Sequence, residues 1–72
     1  MQENKFIETI KLLDSNIFHI EYHQKRIKDT FSHFFPSEKV FSLEDILSKQ
    51  VLPEEGKYKI RFVYSAYDYT LE

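Results

Sequence analysis

Cysteine and tryptophan are missing from this sequence, and glycine occurs once and proline twice among 72 residues. Without cysteine there is no disulfide, no thiol nucleophile and no thiolate zinc site, and such a chain suits a reducing compartment. A single glycine, Gly56, cannot build a glycine-rich loop around a phosphate. Long apolar runs are absent too. Nothing approaches the ~20 residues of a membrane span, and Met1-Gln2-Glu3-Asn4-Lys5 lacks the charged-then-apolar layout of an export signal. The expectation is a cytoplasmic chain without a membrane anchor. Charge of one sign is also scarce. Ten Lys and Arg against twelve Asp and Glu, interspersed, leave a formal net charge of −2 and no long-range field to hold a nucleic-acid backbone.

What is present is aromatic. Seven Phe and five Tyr make up 17% of the chain, and each ring can bury roughly 150–250 Å². That load offsets the handicap of a short chain, which at about 60 residues buries only about 60% of the surface it exposes when unfolded. The length allows one domain, residues 1–72.

Periodicity divides the chain into six elements. Phe6 to Leu13 alternates, with β-branched Ile7, Thr9 and Ile10, and reads as a strand. Asp14-Ser15-Asn16 forms a turn of undefined type, and Ile17-Phe18-His19-Ile20 resumes as a second extended stretch, giving a hairpin. From Glu21 the period changes to three and four, with Ile20, His23, Ile27, Thr30 or Phe31, and Phe34 on one side of a helix that Pro36 stops. Ser42-Leu43-Glu44-Asp45 resembles the capped start of a short helix whose buried edge is Leu43, Ile46 and Leu47. After a turn at Pro53-Glu54-Glu55-Gly56, Tyr58, Ile60, Phe62 and Tyr64 alternate along the clearest strand, and Tyr67 to Leu71 alternates again. The order strand, strand, helix, short helix, strand, strand predicts an α+β fold, a small antiparallel sheet with the helices on one face.

Candidate chemistry is thin. His19 and His23 are four apart, but His19 falls in an extended stretch and no acidic ligand has matching spacing, so no metal site is expected. Asp14 with Asp68, or Glu54 with Glu55, read as solvated carboxylates rather than an acid–base pair. His33 reads as a solvated helix residue. Arg26 sits mid-helix beside Ile27, and Arg61 lies in a strand between Ile60 and Phe62. An arginine embedded in an apolar element is an anion-site candidate, because its planar fork matches phosphate or carboxylate. A packed stem with a solvated head is the ordinary alternative for both.

Three stretches carry a resemblance. Phe6-Ile7-Glu8-Thr9-Ile10-Lys11-Leu12 followed by Asp14, then Ile20-Glu21-Tyr22-His23-Gln24-Lys25-Arg26-Ile27, resembles the start of the fold-type IV (class IV) pyridoxal-phosphate aminotransferases and lyases, above all the short members of the aminodeoxychorismate lyase or branched-chain aminotransferase-like kind. Gly56-Lys57-Tyr58-Lys59-Ile60-Arg61-Phe62-Val63-Tyr64 resembles the later strand of the same domain. The sequence departs from the family at Ser15, where glycine is usual. The resemblance implies that Arg26, three residues after His23, reaches the cofactor phosphate, that His23 helps seat the helix, and that Arg61 binds a substrate carboxylate or structures the domain. It also implies that the Schiff-base lysine lies in sequence following residue 72, so none of Lys5, Lys11, Lys25, Lys28, Lys39, Lys49, Lys57 and Lys59 is catalytic. The expectation is an N-terminal small domain, inactive alone, whose large domain is absent. It would associate with that domain or with itself, while the complete family enzyme, usually a homodimer, acts on amino acids or aminodeoxychorismate. The rival is a free-standing interaction module that binds a protein partner through Tyr58, Tyr64, Tyr67 and Tyr69.

Overall fold

The computed structural model describes residues 5–72, so the reading of the first four residues as lacking an export signal lies outside the described part. The chain forms β1 (Phe6–Leu13), β2 (Asn16–Ile17), α1 (Ile20–Phe34), α2 (Leu43–Ser48), β3 (Lys57–Tyr64) and β4 (Tyr69–Leu71). All strand pairs are antiparallel, in the spatial order β2-β1-β3-β4. The fold is the expected α+β arrangement. Both helices cover one face of the sheet, where Ile10, Leu12, Ile60, Phe62 and Tyr64 meet Ile27, Phe31, Leu43, Ile46 and Leu47.

The two central strands pair along their full length, from Phe6 opposite Tyr64 to Leu13 opposite Lys57. Alternation therefore sends Glu8, Ile10 and Leu12 to the helix side and Ile7, Thr9 and Lys11 to the other. The turn after β1 has Asp14 at φ 48° and Ser15 at φ 70°, the two positive angles that a type I′ hairpin requires. Two long-range bonds tie it down: the Gly56 amide donates to Asp14 Oδ1 at 2.9 Å, and Ser15 Oγ donates to the Pro53 carbonyl at 2.8 Å.

The second strand is shorter than its apolar run suggests. Phe18 still donates to the Lys11 carbonyl, but His19 adopts a left-handed conformation at φ 58°, so the expected extended stretch ends there and the helix begins at Ile20. The bend has a packing reason, since it brings Ile20 from the sheet edge onto the core. At its other end α1 stops as Pro36 requires, with Phe35 at φ −135° and its amide bonded to the Phe31 carbonyl. Phe35 rather than Phe34 packs on the core, and Phe34 stays about half exposed against Phe6.

Ser42 caps α2 as its sequence suggests, its Oγ accepting from the Asp45 amide at 3.3 Å. A second tie comes from α1. Gln24 Oε1 accepts from the Leu43 amide at 2.7 Å while its Nε2 donates to the Phe41 carbonyl at 2.9 Å, locking α2 to the longer helix. The last strand starts at Tyr69 rather than Tyr67, because Ser65 to Asp68 closes a turn through an amide-to-carbonyl bond of 2.9 Å and a hydroxyl-to-carboxylate bond of 2.8 Å. Among the described residues no helix is long and apolar enough to cross a membrane.

Candidate functional site

Among the described residues Glu8 is the one acidic side chain that is buried, at 5% exposure. Its position follows from β1, where alternation puts it in line with Ile10 and Leu12 beneath α1. A buried carboxylate is costly unless its oxygens are satisfied. Both are. His23 Nδ1 donates to Oε1 at 2.7 Å, and Arg26 Nε lies 3.3 Å from Oε2. Because a carboxylate only accepts, this contact places the His23 proton on Nδ1. His23 and Arg26 are three apart on α1 and so share the face that looks at β1.

The three side chains differ in access to water. His23 is nearly buried, whereas 55% of the Arg26 side chain is exposed. With Nε committed to Glu8, the terminal nitrogens remain as donors on a side chain open to solvent. Tyr22 lies alongside, its ring centre 5.8 Å from the guanidinium carbon. Hydrogen bonding to Tyr22 first, and the Glu8 charge second, hold the Arg26 pKa above its ordinary value. Arg26 is thus a fixed cation, braced from below.

Tyr64 completes the surroundings. It is buried at 1% exposure, stacked on Phe62 at 5.2 Å, and its hydroxyl has no hydrogen-bond partner among the described residues. Burial raises its pKa and the Glu8 charge adds to the rise, while Thr30 and Arg26 pull the other way. This burial also removes Tyr64 from the surface tyrosines considered for a protein interface. Tyr58, Tyr67 and Tyr69 remain exposed.

Arg61 lies elsewhere. It stands opposite Thr9 on the side of the sheet away from the helices, 3.1 Å from Glu72 Oε1. Arg26 and Arg61 are therefore separated by the sheet and do not meet at one site. All eight lysines are exposed. Among the described residues no three His, Asp or Glu side chains gather where a metal ion could be held. Asp14 accepts from the Gly56 amide and Asp68 from Ser65 of its own turn, so the two carboxylates have separate partners. A groove of about 500 Å³ runs between α1 and the segment leading into α2, lined by Gln24, Lys25, Lys28 and Phe41 among others, and neither Arg26 nor Arg61 borders it.

Sequence reasoning named Arg26 and His23 but passed over Glu8, the residue that joins them. A signal was available: a lone Glu in the inward register of an apolar strand demands a buried partner. Family profiles, curated proteins and solved structures were all searched, and none matches this chain.

Proposed function

We propose that the chain is the small domain of a pyridoxal-phosphate enzyme of the class IV type, in which Arg26 binds the cofactor phosphate. One observation carries this reading. The residues on which the resemblance rests lie in separate segments, yet Glu8 from the first meets His23 and Arg26 from the second, hydrogen-bonded to the one and ion-paired with the other.

The group has a division of labour. Arg26 offers its terminal nitrogens to a phosphate, a charge-assisted and bidentate interaction. Glu8 fixes the guanidinium at Nε, so less side-chain freedom is lost when an anion binds. His23 holds Glu8 from the other side and keeps its second oxygen satisfied. The bound cofactor would supply an electron sink for carbanion chemistry at an amino acid. Nothing in the described residues fits the cofactor aldehyde, since a Schiff-base lysine needs burial or a cationic neighbour to lower its pKa and every lysine here is exposed. The phosphate end of the cofactor fits this domain, and the reactive end calls for a second domain. Arg61, on the far side of the sheet, takes no part in the phosphate site.

The test uses 4-deoxypyridoxine phosphate, which keeps the phosphate but has no aldehyde to react with surface lysines. Titration should move the Arg26 Nε–H resonance, with a dissociation constant on the order of 1 mM for a lone anchoring residue, equivalent to about 4 kcal/mol. Unphosphorylated 4-deoxypyridoxine should leave it still, and Arg26→Ala should abolish the response. Equal responses to both compounds would refute the phosphate role. A stoichiometric, borohydride-fixed adduct of pyridoxal phosphate on one lysine would refute the claim that the chain lacks its Schiff-base residue.

A further inference from the structure

The sheet has a second face, and no described element covers it. Lys57, Lys59 and Arg61 follow one another on that side of β3, at two-residue steps of about 6.7 Å. Lys11 of β1 stands directly opposite Lys59. All four side chains are exposed, and Arg61 is paired with the Glu72 carboxylate at 3.1 Å. A chain of net charge −2 has thus gathered a cationic patch on one side of its two central strands.

Two features argue that the patch is more than solvated surface. Like charges directly opposite across a strand pair destabilise the sheet, so the Lys11 and Lys59 pairing works against folding. Lysines often protect sheet edges from pairing, yet β1 and β3 are the inner strands, where there is no edge to protect. At the Phe6 end of the same face the character changes, with Ile7 half exposed opposite Val63. Lys11 is held rather than free to swing, its Nζ 4.8 Å from the centre of the Phe18 ring.

We propose that this helix-free face docks a protein partner through an acidic surface that also presents an apolar contact. Carboxylates of the partner would meet Lys11, Lys57, Lys59 and Arg61, relieving the repulsion between the first and third, and an apolar side chain would cover Ile7 and Val63. Charge complementarity selects the partner. A second copy presenting the same face would set four cations against four, and a phosphate backbone would leave Ile7 and Val63 uncovered. The inference is independent of the phosphate site at Arg26, which lies across the sheet.

The test is NMR titration of the whole chain with a synthetic peptide in which four glutamates flank a leucine pair, with the glutamine version as control. Binding should shift the amides of Ile7, Thr9, Lys11, Lys59, Arg61 and Val63, weaken with added salt, and be lost with the glutamine peptide. Lys59→Glu turns the like pair into an opposite one, so it should raise the melting temperature while weakening the peptide about tenfold. A variant that melts higher yet binds as before would overturn the proposal. So would shifts confined to another surface, or concentration-dependent shifts of this face without peptide, which would indicate self-association. Tighter binding of the face to an oligonucleotide or to phosphatidylserine vesicles than to the peptide would overturn it in favour of a phosphate partner.

Discussion

Replacing Tyr64 by Phe should stabilise the protein, although Tyr64 is among its most buried residues. The ring lies in an aromatic cluster, with centroids 5.2 Å from Phe62, 5.8 Å from Phe6 and 6.1 Å from Phe31, and the substitution leaves every one of those contacts in place. Only the hydroxyl goes, and it is buried with no hydrogen-bond partner among the described residues. An unsatisfied buried hydroxyl costs about 1–3 kcal/mol, so its removal should gain on the order of 1 kcal/mol, which raises the melting temperature by about 4–8 °C in a domain of this size. A second signature appears at alkaline pH. The Tyr64 pKa is raised in the folded state, so ionisation above about pH 10 favours the unfolded chain. Its stabilising contribution is full below that pH and is lost as pH climbs toward the folded value, at a limiting slope of about 1.4 kcal/mol per pH unit. The Phe variant lacks this loss, and the gap between the two proteins should widen between pH 9.5 and 11 by an amount bounded by ~1.4 kcal/mol per unit. Urea denaturation of both proteins across that range measures it. A Phe variant less stable by about 1 kcal/mol at pH 7, with a constant gap at higher pH, would mean that the hydroxyl is bonded in solution and would refute the reasoning.

Two further substitutions probe the local devices that start the helices. Ser42→Ala should cost about 0.5–1 kcal/mol, the low end for an N-cap because the bond to Asp45 is long at 3.3 Å and Gln24 still holds the Leu43 amide; thermal unfolding followed by circular dichroism tests this. His19→Gly should stabilise by a few tenths up to about 1 kcal/mol, since the left-handed backbone at φ 58° strains any residue with a Cβ and His19 makes no capping bond. A loss of stability in the glycine variant would show that the His19 ring contributes packing beyond its 6.2 Å contact with Phe18.

The legible parts of this fold were those governed by period and punctuation. Alternation in Phe6–Leu13 and Lys57–Tyr64, the stop at Pro36 and the Ser42 cap each depend on neighbours within a few residues, and each stands where the sequence suggests. The misread positions were decided by distant packing. His19 bends the chain so that Ile20 can reach the core, a demand that an apolar run from Ile17 to Ile20 does not announce. Tyr64 and Tyr58 follow the same alternation but differ in exposure, 1% against 47%, a difference that period alone does not encode. The candidate site was half legible. Arg26 and His23 stood out by spacing and resemblance, whereas Glu8 became visible only when strand and helix were set face to face. The interspersed charges concealed the cationic sheet face for the same reason, since register brings Lys11 beside Lys59 and sequence order does not.

Pairing β1 with β3 also sets a timetable for biosynthesis. Phe6 finds its partner in Tyr64 and Leu13 in Lys57, so the first strand leaves the ribosome long before the strand that completes its hydrogen bonds. At about 5–20 residues per second the wait is on the order of 3–10 s. Through that interval Ile10 and Leu12 have only the β2 turn and the two helices to shelter against, and the backbone on one side of β1 is an open edge. The nascent chain is then at its most adhesive. A chaperone that binds extended apolar segments would meet β1 before β3 does.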